Sequence, residues 1–307
     1  MLFDYIVNYC NAEYSAADTE HICDDCQHQN CQGSCKECLE EIHYPAKYPD
    51  GKKDYDCNNL MNFYVCDYSF KYASEIWYLL RKSSLLSELK KINMLSIGCG
   101  AAPDLMAMES YLAENNFGDK QVCYHGIDNN SLWMPIHQKI TEYRSPFIQE
   151  AKFCYNDAIH VIESTPIPNA NVLVLQYFIS HLYINKQIDQ LRSLYDSIIE
   201  NIVLRRNSET PFIIIINDVN SCNRGRDSFE ELVHKLESAN IHGTYSKYYF
   251  DHNIKNEHQR YGLLHPNKRI LYGPISAQFI KYQPWEFCSS AQLLIEINKE
   301  KTNDYQR

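Results

Sequence analysis

The chain has 307 residues, of which 45% are hydrophobic and 22% charged, with a formal charge of −10. That composition allows a sizeable core. The acidic balance makes it a poor non-specific nucleic-acid binder, since such binding rests on Lys and Arg neutralising phosphates. No apolar run approaches the roughly 20 residues needed to span a bilayer. The first residues, Met1-Leu2-Phe3-Asp4-Tyr5, do not form a basic segment followed by an apolar one, so they do not read as a secretory signal. The expected location is therefore cytoplasmic, and the 13 cysteines are expected to be mostly reduced.

Residues 1–60 are polar and cysteine-rich, with twelve Asp/Glu against four Lys. Within them, 23–38 read C-D-D-C-Q-H-Q-N-C-Q-G-S-C-K-E-C. Two C-x-x-C hooks this close can fold back around one soft ion. Cys23, Cys26, Cys35 and Cys38 could form one tetrahedral zinc site, with Cys31 spare or exchanging with one of them. His21, His28, His43, Cys57 and Cys66 are further possible ligands. A module this small and polar would need such a staple to fold.

Residues 61–93 place Phe63, Ile76, Leu79, Leu80, Leu85, Leu86 and Leu89 at three-to-four spacing, as in a helical linker. From 94 onward strand-like and helix-like patterns alternate, which points to an α/β sheet with helices on both faces. Strands are expected at 94–97, 122–127, 152–155, 172–175 and 212–216, and helices at about 103–116, 131–143, 186–203 and 227–240. The run F-I-I-I-I at 212–216 lacks polar alternation, as a central strand covered on both faces should. Segments 245–250 and 291–297 could form a closing antiparallel pair. Between them, 251–290 reads as an insertion rich in His, Pro, Lys and Arg.

The most informative stretch is M-L-S-I-G-C-G-A-A-P-D-L at 94–105. It reads as a strand, a tight Gly98-Cys99-Gly100 turn and a helix start at Pro103. Glycine lets a ligand approach the backbone, and the helix start offers unpaired N–H groups. The second strand ends in Gly126-Ile127-Asp128, where a carboxylate can accept bonds from ribose hydroxyls. Asn129 follows it. Asn156-Asp157-Ala158 follow the third strand, and Gln176-Tyr177-Phe178 the fourth.

Together, I-G-C-G-A-A-P-D, G-I-D, N-D-A and L-V-L-Q-Y resemble class I S-adenosylmethionine-dependent methyltransferases over residues 94–217, with weaker support to 300. The resemblance implies a Rossmann-like methyltransferase sheet over 94–307, preceded by the small cysteine-rich metal-bound module and the linker. It implies S-adenosylmethionine as cofactor. Gly98, Cys99 and Gly100 would lie under its methionine part, Asp128 and Asn129 at the ribose, and Asp157 and Ala158 at the adenine. Gln176 would stand near the reacting end. The family loop often has a third glycine where this chain has Ala102, and Pro103 departs from the dinucleotide fingerprint G-x-G-x-x-G.

Methyl transfer is an in-line displacement in which the protein mainly aligns the partners. A base is required only if the acceptor must lose a proton. The candidates near the methyl group are Tyr177, His181 and Asp218, with Asn217 beside them. After the fourth strand, 176–181 read Q-Y-F-I-S-H, without the paired prolines of enzymes that methylate exocyclic amino groups of bases. The acceptor is unidentified, with RNA or protein favoured over a small molecule. Lys255, Arg260, Lys268 and Arg269 are the better candidates for a phosphate contact. Oligomeric state is not indicated. One alternative is a catalytically inactive methyltransferase-like binding protein. Another is a metal or iron–sulfur sensing regulator. Cys31, Cys35 and Cys38 also match the cluster spacing of radical S-adenosylmethionine enzymes, a reading that would require a barrel of repeated β/α units.

Overall fold

The computed structural model describes residues 1–14, 34–165, 169–251, 260–273 and 284–299. Eight strands form one open sheet in the order β3-β2-β1-β4-β5-β8-β6-β7. They are β1 (Lys91–Ile97), β2 (Gln121–Ile127), β3 (Ile148–Cys154), β4 (Val172–Gln176), β5 (Phe212–Val219), β6 (Thr244–Tyr249), β7 (Leu263–Leu264) and β8 (Ser290–Ile297). The first five run parallel, and β8 lies antiparallel between β5 and β6. The result is an α/β, Rossmann-like sheet. It is not a closed barrel, so the arrangement a radical enzyme would need is not present among the described residues.

Both faces of the sheet are covered, which is why its central strands have no polar alternation. Met94, Val172, Val174, Ile213 and Ile215 point into one apolar core. Leu95, Ile97, Leu173, Leu175, Phe212, Ile214 and Ile216 point into the other. This is the two-residue period of a strand with an apolar layer on each side. The first core is closed by α1 (Leu2–Glu13), α3 (Asn58–Leu80), α4 (Pro103–Glu114) and α5 (Met134–Glu142). The second is closed by α6 (Ala158–Ser164), α7 (Ile179–Ile184), α8 (Ile188–Ile198) and α9 (Phe229–Ser238). Helix α3 packs on α1, α2 (Cys35–His43) and α4, and also touches β5 and β8. It is accordingly buried on almost every side, with the polar Lys71 and Glu75 among its buried residues.

The differences from the sequence reading have local causes. β3 starts at Ile148 rather than 152. It is an edge strand whose Gln149, Glu150 and Lys152 face solvent, so its apolar signal is thin. Helices α1 and α2 fall in the polar, cysteine-rich segment, for which no helix is expected from the sequence. Leu2, Phe3, Ile6, Val7 and Cys10 nevertheless carry the three-to-four spacing of a buried helix face. The helix beginning near 61 ends at Leu80, and β1 is already extended from Lys91. The expected helix at 186–203 is α8 followed by a π-helical turn over Ile199–Val203, and the short α7 precedes it. Within 251–290 the described part holds β7 and an isolated bridge between Arg269 and Phe287.

Among the described residues no helix is long and apolar enough to cross a membrane. Among them, too, no group of three or more His, Cys, Asp or Glu side chains could hold a metal ion. Cys23, Cys26 and Cys31 lie outside the described residues, as do His21 and His28. Cys35 and Cys38 sit one turn apart on α2, the first buried and the second half-buried.

Candidate functional site

Strand register builds the site. Ile97 pairs with Ile127 on one side and Leu175 on the other, and Gln176 pairs with Asn217. Residues 98, 128, 176 and 217 therefore form a row at the carboxyl edge of the sheet. The strand order reverses on either side of β1, and open α/β sheets hold their ligands in the crevice at such a switch point.

A cleft of about 750 Å3 opens there. Gly98, Gly100, Asp128, Asn129, Asp157, Ala158, Gln176, Tyr177 and His181 all line it. Cys99, Asp218 and the fully buried Asn217 do not. Cys99 is buried behind the turn, its sulfur so close to Gly126 that a Cβ there would lie 2.7 Å away. Burial pushes its thiol well above the ordinary range, so it stays protonated. Asp218 is buried beneath α7, where it accepts from the Ser180 amide (3.0 Å) and the Val219 amide (2.6 Å). Burial raises its carboxyl to about 6, with the bonds from Ser180 working against the rise.

The glycine turn is held by specific contacts. The Gly98 and Cys99 amides both donate to the Ile127 carbonyl, at 2.8 and 3.1 Å. Gly98, Gly100 and Ala102 have φ of +66°, +49° and +56°, the left-handed region that costs other residues energy. A side chain on Gly98 would run into the Phe178 ring. Ala102 leads directly into Pro103, which suits the first turn of α4 because its missing N–H would be unpaired there anyway.

Asp128 bridges the tip of β2 to this turn. One carboxylate oxygen accepts from the Gly100 amide and the other from the Asn130 amide, each at 2.9 Å. Each oxygen keeps a further lone pair for a ligand. Burial raises the Asp128 carboxyl, and the two amide bonds oppose that rise. Asp157 caps α6, accepting from the His160 amide at 3.0 Å. Tyr177 also has a left-handed φ, +52°. Its ring stacks on Tyr72 at 4.0 Å, and its hydroxyl donates inward to Glu75 at 2.8 Å. His181 lies open at the cleft wall, where surrounding protein lowers its imidazole below the ordinary value and Asp54 raises it in part. Its Nε2 accepts from the Asn185 amide nitrogen at 3.1 Å, so the ring proton of the neutral form is assigned to Nδ1.

Several residues here carried no sequence signal. His137 donates from Nε2 to the Gly100 carbonyl (2.7 Å), accepts from the Tyr155 hydroxyl (2.9 Å) and stacks on Phe153. Burial lowers it to about 4, so it stays neutral, with one nitrogen donating and the other accepting. Residues 53–56, with Tyr64 of α3, roof the cleft. The Asn130 side chain donates to the Tyr55 carbonyl (2.8 Å), and the Tyr55 hydroxyl meets His43 (2.9 Å). Tyr64 packs edge-on against Trp133 at 5.7 Å. None of these lies within a recognisable spacing, and only the fold brings them together.

Beneath the turn, Asp104 is 1% exposed. One of its oxygens accepts from the Tyr124 hydroxyl and the Leu105 amide, both at 2.9 Å, and the other has no partner. Burial raises the carboxyl to about 6, while the nearby Ser96 hydroxyl and the bonds from Tyr124 and Leu105 limit the rise. A raised acid favours the fold below its unfolded value near 4 and loses that contribution as pH climbs through about 6. Relative to wild type, Asp104→Asn should therefore gain stability in urea titrations as pH rises from 4 to 7. The gain is expected to approach about 3 kcal/mol.

No protein-family model matches the chain, and no curated protein matches it either. Solved structures do resemble it. The plantazolicin methyltransferase BpumL, in complex with a triazolic desmethylPZN analog and SAH, is 12% identical, with 86% of this chain and 98% of that one covered and a TM-score of 0.45. A SAM-dependent methyltransferase from Archaeoglobus fulgidus is 14% identical, with 73% and 94% covered and a TM-score of 0.39. A putative class I S-adenosylmethionine-dependent methyltransferase from Listeria monocytogenes is 10% identical, with 100% and 90% covered and a TM-score of 0.43. At these identities and TM-scores the likeness carries no argument about function, and the chemistry rests on the cleft.

Proposed function

We propose that the chain binds S-adenosylmethionine in the cleft at the β1/β4 switch point and transfers its methyl group to an acceptor. The observation that carries this is Asp128: a carboxylate at the tip of β2, tied to the Gly100 amide and facing the cleft. The site fits such a cofactor in size and chemistry. Gly100 leaves room beside the backbone, with Trp133 the nearest side chain at 3.7 Å, and the free lone pairs of Asp128 suit a ribose diol. Asp157 and Ala158 lie at the end of β3, where the nucleobase would sit.

The bound cofactor would supply an electrophilic methyl on a sulfonium. The chain's own part is alignment and exclusion of water. The turn at 98–100 and the 176–178 segment flank the reacting end, and residues 53–56 cover it. Neutral His181 stands at the wall, where its Nε2 would take a proton from an acceptor on giving up the bond from the Asn185 side chain.

The charges around the cleft bear on the acceptor. Asp54, Asp56, Asp128 and Asp157 line it, and the Lys53 ammonium donates to the Tyr48 carbonyl (2.8 Å). Such a lining disfavours a phosphate-bearing group. A protein or other non-phosphorylated acceptor is the better reading, in place of RNA. Arg260, Lys268 and Arg269 are not part of the cleft lining, and Lys255 lies outside the described residues.

Calorimetry with S-adenosylmethionine and S-adenosylhomocysteine tests the reading, and absence of heat with both would overturn it. A metal is proposed alongside the cofactor. Cys35 and Cys38 present two thiols one helical turn apart, which suits half of a zinc site. Metal analysis of anaerobically purified protein separates zinc from an iron–sulfur cluster.

A further inference from the structure

Glu75 sits in the middle of α3 with no solvent exposure. A buried carboxylate is costly unless its oxygens are well satisfied, and these are. One oxygen accepts from the Tyr177 hydroxyl (2.8 Å) and the Asn217 side chain (3.1 Å). The other accepts from the Ser289 amide (2.8 Å) and the Ser290 amide (3.1 Å), with the Lys71 ammonium 4.0 Å away. Its main-chain carbonyl accepts from Gln292 (2.8 Å), which also donates to Asn217 (2.7 Å). One side chain thus joins a helix to the tips of β4 and β5 and the start of β8.

Glu75 does not line the cleft, but what it holds does. Tyr177 occupies a left-handed conformation that a tyrosine adopts only when its surroundings impose it. The surroundings here are the Tyr72 stack, the Lys71 ammonium 5.1 Å over the ring, the Tyr177 amide donating to the Asn217 carbonyl (2.8 Å), and Glu75 at the hydroxyl. The turn at 177 in turn sets Phe178 against Gly98. If packing alone were needed, an apolar residue would serve as well as Glu75.

We infer that Glu75 is a positioning residue: it holds the 176–178 turn in the conformation that shapes the reacting end of the cleft. The inference rests on the methyltransferase reading for its purpose, but not for its geometry. Two measurements separate the two claims. The first is S-adenosylhomocysteine affinity by calorimetry in wild type, Glu75→Gln, Tyr177→Phe and, as a remote core control, Leu236→Ala. The second is hydrogen–deuterium exchange of peptides covering 172–182 in the same four proteins without ligand.

Glu75→Gln and Tyr177→Phe should each weaken binding at least tenfold. Exchange over 176–182 should quicken at least tenfold in both. Leu236→Ala, though less stable, should match wild type in affinity and in that segment's exchange. Unchanged exchange over 176–182 in folded Glu75→Gln overturns the inference, and so does an equal change in Leu236→Ala. If Glu75→Gln does not fold, exchange in Tyr177→Phe decides the question by the same criterion. Wild type that binds no ligand overturns the cofactor reading, and the exchange data then still decide the role of Glu75.

Discussion

Asp128→Ala is expected to weaken S-adenosylhomocysteine binding by at least about 100-fold in calorimetry, with the protein still folded. A hydrogen bond to a charged group contributes about 1.5–3 kcal/mol, and two ribose bonds would be lost together. The loss is compounded because the same carboxylate orders the Gly100 and Asn130 amides. Asp128→Asn keeps the shape but offers one acceptor oxygen, so it should fall between the two. Because burial raises this carboxyl above the usual aspartate value, wild-type affinity should begin to decline on acidification sooner than an exposed aspartate would dictate. An alanine variant that binds like wild type would end the assignment.

Gly98→Ala should be as damaging, by another route. At φ +66° any other residue is strained by roughly 1–2 kcal/mol. The added methyl would also meet the Phe178 ring, which cannot retreat without disturbing the turn at 177. Overpacking of this kind adds about 1–3 kcal/mol. Both ligand binding and stability against urea should drop. Gly118→Ala is the matched control, since nothing lies within 4 Å of a Cβ there. It should be nearly neutral in both measurements.

Much of the sheet was legible because its strands are short, apolar and bounded by turns. Val172–Leu175 and Ile213–Ile216 announce themselves through unbroken branched residues. The Gly98–Gly100 turn was legible because left-handed backbone at a strand tip demands glycine, and Asp128 because it closes β2 beside that turn. The roof was not. Tyr55, Tyr64 and Trp133 are ordinary aromatics until α3 is laid across the sheet. Glu75 and His137 were invisible for a related reason. Each satisfies partners more than thirty residues away in sequence, and no local periodicity encodes that. Helix α1 carried a clear apolar face, but the surrounding acidic, cysteine-rich composition hid it.

The place of β8 has a consequence for how the molecule is made. Ser290–Ile297 inserts between β5 and β6, so the isoleucine-rich flank of β5 has no neighbour until residue 297 has left the ribosome. Until then nascent chains carry an open, sticky ribbon edge of the kind that invites wrong pairings. Assembly therefore finishes at its centre rather than its rim, and synthesis rate and chaperone supply should govern the yield of native protein.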